Sequence, residues 1–294
     1  MSHYHSHETK NIKVAFFLNL GFTIIEIIGG IYTNSLAILS DALHDLGDSL
    51  SLGLSWYFQK LSNKGRTKSY SYGYKRFSLL GAIINAIVLA VGSVFILSKA
   101  IPQLFNPEQS DAEGMMYLAI LGIVVNGAAV LKLRKGISLN EEVVSLHLLE
   151  DVLGWAAVLI GSIIMMYVDA PFIDPLLSVL ISVYVLYNVF RNLRKSLRVV
   201  LQAIPKDISF QKIQKQLEDI PEISEIHDLH IWSMDGNYNV MSVHVKLEKD
   251  YKLSELSEIK EKIRSKLTDE SIEHATIEIE GKDEDCSYSD IKIN

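Results

Sequence analysis

Apolar residues fill the first two thirds of the chain in long runs, and shorter alternating and helical patterns follow. Six segments are apolar enough to cross a bilayer, which takes ~20 such residues. They are Val14–Tyr32, Leu36–Leu61, Phe77–Ile101, Met115–Leu133, Val143–Tyr167 and Pro175–Val189, the last being the shortest. From Pro205 the rhythm changes. Ile213, Leu217 and Ile220 share one face of a helix predicted over Ile208–Ile220. Strands are predicted over Glu222–Met234 and Tyr238–Leu247, joined at Asp235-Gly236, a pair suited to a tight hairpin turn. In the second strand Met241, Val243, Val245 and Leu247 alternate with Ser242, His244 and Lys246, so His244 falls on the polar face. A helix over Leu253–Leu267 and a strand over Ala275–Glu280 complete the order α-β-β-α-β, and the tail after Gly281 is acidic.

The expected fold is therefore an α-helical membrane domain with six transmembrane helices plus a C-terminal α/β ferredoxin-like cytoplasmic domain. The boundaries fall at a polar N-terminal tail over 1–12, the membrane domain over 13–198, and the cytoplasmic domain with its acidic tail over 199–294. The loops set the orientation. Lys64, Arg66, Lys68, Lys75 and Arg76 lie between the second and third spans, Lys132, Arg134 and Lys135 between the fourth and fifth, and Arg191, Arg194, Lys195 and Arg198 after the sixth. The opposite connections carry Glu108, Asp111, Glu113, Asp169 and Asp174. Basic loops face the cytoplasm, which places both termini there.

Composition narrows the classes. The chain is 49% hydrophobic with 21% charged residues, and its mean hydropathy is +0.20. A net charge of −7 argues against nucleic acid as a partner. The single Cys286 excludes a disulfide framework and a cysteine-rich zinc finger. The N-terminus has no basic stretch or small-residue cleavage pattern, so the first apolar run reads as an uncleaved span.

One phrase occurs twice inside apolar stretches. His44 and Asp48 stand four apart in the second span, as do His147 and Asp151 in the fifth. Residues at i and i+4 share a helix face, and the two spans run in opposite directions. His44 is thus level with Asp151, and Asp48 with His147. Two imidazoles and two carboxylates form a tetrahedral set suited to Zn2+; Mg2+ and Ca2+ prefer oxygen ligands alone. Two carboxylates also balance one dication. Ionisable groups at membrane depth mark a site or pathway by default. Asp41 lies one turn before His44 and lines the outward exit, whereas Asp45 is rotated about 100° away, toward a neighbouring helix. Glu150 is a candidate supporting group. Asn19, Glu26, Asn85 and Asn126 read as helix-to-helix hydrogen-bonding groups.

The stretch Asn34–Asp48 resembles the second-span signature of the cation diffusion facilitators. So do Tyr72-Gly73-Tyr74-Lys75-Arg76, the His147/Asp151 pair, and His227-Asp228-Leu229-His230-Ile231-Trp232-Ser233. The resemblance covers nearly the whole chain. It implies a homodimeric zinc-type metal/proton antiporter, integral to a bacterial plasma membrane, that exports divalent metal and uses no organic cofactor. Members also bind regulatory zinc in the terminal domain, where His227, His244, His274 and Glu280 best match; Asp285 and Cys286 are weaker candidates. Arg76-Phe77-Ser78 lacks the Glu often found at the start of the third span. Ser62–Arg76 contains no His, Asp or Glu, so a second metal site in that loop is expected to be absent. His3, His5 and His7 are read either as a loose zinc-binding tail or as a polar tail.

Two other classes compete. A membrane metallohydrolase with the same ligands would need an open coordination position and a general base, and no H-E-x-x-H occurs. Four ligands close the shell, which favours carriage over catalysis. A membrane zinc sensor would bind metal without moving it, and a flux assay separates the two.

Overall fold

The computed structural model describes residues 17, 19–62, 64–133, 139–284 and 286, excepting the side chains at 55, 56, 59, 132, 133 and 139–147. The chain divides into two compact units. One extends to Tyr57 and takes in Gly81–Leu193; the other combines Phe58–Leu80 with the chain from Arg194 onward. The N-terminal histidines His3, His5 and His7, and Asp285, lie outside the described residues.

The first unit is built from α1 (Asn19–Tyr32), α2 (Leu36–Ser62), α3 (Phe77–Phe105), α4 (Ala112–Leu133), α5 (Leu139–Tyr167) and α6 (Ile173–Val200). Among the described residues four helices are long and apolar enough to cross a membrane: α3, α4 over Ala112–Leu131, α5 over Leu148–Tyr167, and α6. With 27 residues, α2 is long enough, about 40 Å, but Asp41, His44, Asp45 and Asp48 dilute its hydropathy. The sixth helix runs well beyond the Pro175–Val189 expected from apolarity. Its extension carries Arg191, Arg194, Lys195 and Arg198, whose long stems let a helix continue past the hydrocarbon while the charged heads reach water.

Three turns meet at one end of this unit. Asp111 N donates to Thr33 O at 2.8 Å, Asn34 Nδ2 donates to Gln109 O at 3.3 Å, and Leu36 N donates to Asp174 Oδ2 at 2.8 Å. The α1–α2, α3–α4 and α5–α6 connections are thus on the same side, so α2 and α5 run antiparallel. Trp155 of α5 is buried against Phe22, ring centroids 5.9 Å apart and edge-on. It lies directly over Gly122 of α4, where a Cβ would approach the indole to 2.4 Å. On the opposite flank Ala86 and Leu89 of α3 pack with Val185 and Val189 of α6.

In the second unit α7 (Phe210–Glu218), β1 (Ile223–Ser233), β2 (Asn239–Leu247), α8 (Leu253–Asp269) and β3 (His274–Glu280) follow the expected order. The sheet order is β1-β2-β3, antiparallel and then parallel. Ile213 and Leu217 of α7 and Ile259 and Ile263 of α8 share one core with Met241, Val243 and Val245. Ser209 caps α7, its Oγ accepting from Lys212 N at 3.3 Å. The hairpin differs from the tight turn expected. Its loop spans Met234–Tyr238, with Gly236 at φ 98° and Asp235 Oδ1 accepting from Asn237 N at 2.9 Å and Tyr238 N at 2.8 Å.

Two outcomes test this packing. Gly122→Ala should force the Trp155 ring aside and destabilise the purified protein by about 1–3 kcal/mol, visible as a lower melting temperature in detergent. The hydrogen bond from Lys262 to Glu222, 2.5 Å, holds the Glu222 carboxyl below its ordinary range. Its stabilisation is present above that range and is lost as pH falls through the lowered pKa. Lys262→Met should therefore reduce stability at neutral pH but leave it unchanged in strong acid, as read from melting curves across pH.

Candidate metal centres

In the first unit α2 presents His44 and Asp48, with His44 Nε2 3.6 Å from Asp48 Oδ2. The side chains remain 20% and 28% exposed. Asp151 is buried on α5, and His147 lies one turn earlier on the same helix, its side chain outside the described residues. One contact indicates the register. Gly154 of α5 faces Asp41 of α2, whose Oδ1 lies 3.7 Å from where a Cβ would stand. In an antiparallel pair, three residues onward from Asp41 is His44, and three residues back from Gly154 is Asp151. Asp48 and His147 are then also level.

The surroundings are acidic. Asp41 and Asp45 feel the charges of Asp48 and Asp151, and the Glu26 carboxyl of α1 lies against that of Asp45. No Lys or Arg occurs in 19–32, 36–59 or 148–167, so the sequence of these segments offers no basic side chain to balance the carboxylates. A cation is the natural complement. Asp45 turns to α1 as expected, where Asn19 Nδ2 donates to its carbonyl at 3.0 Å and to Ser49 Oγ at 3.1 Å. Asn85 likewise joins α3 to α2 through Ser51 Oγ at 2.8 Å. Glu150 accepts from Tyr184 of α6 at 3.2 Å on an exposed face.

In the second unit a bulge shapes another centre. His227 pairs with His244 and His230 with Ser242, so Asp228 and Leu229 oppose one residue of β2, and Asp228 takes φ 48°. His227 and His244 thereby stand on one face, ring centroids 5.3 Å apart. Glu280 Oε1 lies 2.8 Å from His244 Nδ1 and 3.2 Å from His227 Nε2, and Cys286 Sγ lies 3.4 Å from His244 Nδ1. These four residues offer ligand atoms all within 4.8 Å of one another. His227 Nδ1 and Glu280 Oε2 are buried with no hydrogen-bond partner among the described residues, and the approach of His227 Nε2 to Glu280 Oε1 lacks hydrogen-bond geometry. Burial pushes the Glu280 carboxyl up, but hydrogen bonds from Cys286 and His244 and the nearby imidazoles outweigh it and hold the group below its ordinary range. A carboxylate, two imidazoles and a thiol that gives up its proton on binding make a tetrahedral donor set suited to Zn2+.

This set departs from the sequence expectation at one member. The parallel register places His274 opposite Val240 but Glu278 opposite His244, which separates His274 from the cluster by about 13 Å along the sheet. The His274 ring instead meets Tyr72 edge-on, centroids 5.7 Å apart. Cys286 takes the fourth place, from the tail just beyond β3. His230 is half outside, with Nε2 2.8 Å from Asp228 Oδ1.

Comparison with known proteins adds the following. Residues 12–201 match the cation efflux transmembrane domain, and residues 205–282 match the cytoplasmic domain of cation efflux proteins. The chain is 34% identical over 288 residues to a cadmium, cobalt and zinc/H(+)-K(+) antiporter of Bacillus velezensis, across 95% of this chain and 92% of that protein. It is 32% identical over 284 residues to the metal cation efflux system protein CzcD of Cupriavidus metallidurans, across 94% and 89%. It is 31% identical over 300 residues to the zinc transporter ZitB of Pectobacterium atrosepticum, across 98% and 92%.

The geometry of the second centre makes a discriminating prediction. Cys286→Ala should weaken zinc binding there by about tenfold or more, whereas His274→Ala should leave it unchanged. Zinc titration calorimetry on protein already carrying Asp151→Ala, which silences the first centre, reads the difference.

Proposed function

The chain belongs to the cation efflux family, and from that membership we propose that it exports Zn2+ from the cytoplasm in exchange for protons, through His44, Asp48, His147 and Asp151. It is an integral membrane transporter of divalent metal cations and not an enzyme. The observation that supports the site is the Asp41–Gly154 approach at 3.7 Å, which agrees with a level pairing of the two His/Asp motifs. The zinc named for its relatives agrees with the donor set.

The chemistry gives the coupling. Imidazole binds a metal only when neutral, so taking up zinc displaces protons and adding protons displaces zinc. With both termini in the cytoplasm, as the basic loops indicate, zinc enters from that side. Protons arriving from the opposite side then release it while the helices alternate between two openings. The partner is a second copy of the chain, joined through the cytoplasmic domain. Zinc held by His227, His244, Glu280 and Cys286 neutralises part of an acidic domain and favours the closer of two dimer arrangements by its differential affinity for it.

Alanine at any of the four membrane residues should abolish zinc flux in proteoliposomes while leaving the protein folded. Flux that persists in His147→Ala and Asp151→Ala would place the site elsewhere. Replacing His44 by Asp exchanges nitrogen for oxygen and should relax selectivity toward Mn2+ or Cd2+. Zinc uptake into vesicles should accelerate with an opposing proton gradient and slow when an ionophore dissipates it; indifference to the gradient would remove the exchange mechanism.

A further inference from the structure

Asp174 stands at the start of α6, almost wholly buried. Its Oδ1 accepts from Ser35 Oγ at 2.5 Å and Ala37 N at 3.2 Å, and its Oδ2 accepts from Leu36 N at 2.8 Å. A carboxylate on one helix thus holds the first turn of another. That turn already has a local cap, since Ser35 Oγ accepts from Ile38 N at 3.2 Å. What Asp174 adds is a link between helices. The seam continues inward: Ser40 Oγ of α2 meets Ser178 Oγ at 2.7 Å and Ser182 Oγ at 3.4 Å. Residues 174, 178 and 182 lie four apart on one face of α6, and Ser35, Ser40, Ser178 and Ser182 are all buried.

The link leads to the metal ligands. From the tether, α2 runs as one helix through His44 and Asp48. On the other side, α6 is seated against α5, where Leu177 and Ile173 crowd Gly161 to 2.8 and 3.0 Å of a Cβ position. Asp151 lies on that same α5. A slip of α2 by one residue would move His44 by about 1.5 Å along the axis and turn it by about 100°, whereas metal ligands are held to about 0.2 Å. Charge-assisted hydrogen bonds away from water are the strong ones, and the carboxylate also complements the positive end of α2.

We propose that Asp174 is a positioning residue for metal transport: it fixes the height and rotation of α2 against α6, and so sets His44 and Asp48 against Asp151. The proposal rests on the reading of those residues as transport ligands. Asp174 itself does not touch the metal.

The test uses full-length protein in proteoliposomes, with initial zinc flux measured against zinc concentration and melting temperature measured in parallel. Asp174→Ala should lower the melting temperature and raise the KM for zinc by ~tenfold or more, the size seen when supporting groups of metal ligands are removed. Ser35→Asp in the Asp174→Ala background gives α2 a carboxylate cap of its own without a link to α6. It should recover the melting temperature but not the KM. Ser35→Asp with Asp174→Asn re-forms the link with the charge exchanged, the amide donating to the new carboxylate, and should recover the KM as well. An Asp174→Ala variant with wild-type KM would overturn the proposal. Recovery of both stability and KM in Ser35→Asp/Asp174→Ala would also overturn it, by reducing Asp174 to a helix cap. If Asp174→Ala does not fold, Ser35→Ala removes one of the bonds between Asp174 and the head of α2, together with the cap on Ile38 N, and should still raise the KM; an unchanged KM there overturns the proposal. Wild-type protein that carries no zinc would instead refute the transport reading, and zinc calorimetry on the same variants would still decide whether Asp174 positions the ligands.

Discussion

A carboxyl group withdrawn from water must find hydrogen-bond donors, a proton or a cation, and this constraint organises the membrane half of the chain. The two solutions occur side by side. Asp174 is answered by a hydroxyl and two backbone N–H groups at the head of α2. Asp41, Asp45, Asp48, Asp151 and Glu26 gather where the flanking segments supply no basic side chain. The first arrangement is complete within the protein and serves as a joint. The second gathers carboxylates about the proposed transport ligands, where a passing cation suits the chemistry.

The cytoplasmic centre obeys the same electrostatics on a different scaffold. Strand alternation alone would put one imidazole on each strand of the hairpin facing the same way. The bulge at Asp228 permits His227 to remain opposite His244 while Leu229 and Ile231 return to the apolar core. The parallel pairing of β3 then sets the distance of every donor on that strand. It carries Glu280 to the two rings and leaves His274 four residues short, beside Tyr72. The positive φ at Asp228 is the local strain that this placement requires, tolerated because aspartate accepts the left-handed region more readily than most residues.

Much of this was legible from the residues because helical and strand periods are rigid. The His44/Asp48 spacing put both side chains on one face of α2, and the cytoplasmic order of helices and strands followed from alternation. Features that depend on tertiary contact were not legible. Cys286 sits in an acidic tail whose sequence has no period to place it, and its approach to His244 depends on where β3 ends. Asp174 read as one more charge in an outer connection, since nothing in a linear sequence tells that a carboxylate at the head of one helix will meet the head of another. The sixth span looked short because apolarity stops at the first arginine, whereas backbone hydrogen bonding does not. Glu150 read as a support for His147 from spacing alone, but the position of Tyr184 on α6 draws it the other way.

On the proposed roles, the exposure of individual ligands bears on the task of each centre, with Asp151 of the first buried beside its wetter neighbours. His44 and Asp48 retain 20% and 28% of their side-chain surface, whereas His227 and Glu280 keep 9% and 4%. A ligand that stays wet gives up less hydration when it binds and recovers it cheaply on release, so the ion passes through a shallower well. A ligand set withdrawn from water, with imidazole nitrogens and a carboxylate oxygen left unsatisfied, gains far more from a bound ion and surrenders it slowly. Carriage needs the first kind of site, because an ion held too firmly never completes the crossing. The proposed regulatory role suits the second, because the ion must remain long enough for a dimer to settle around it.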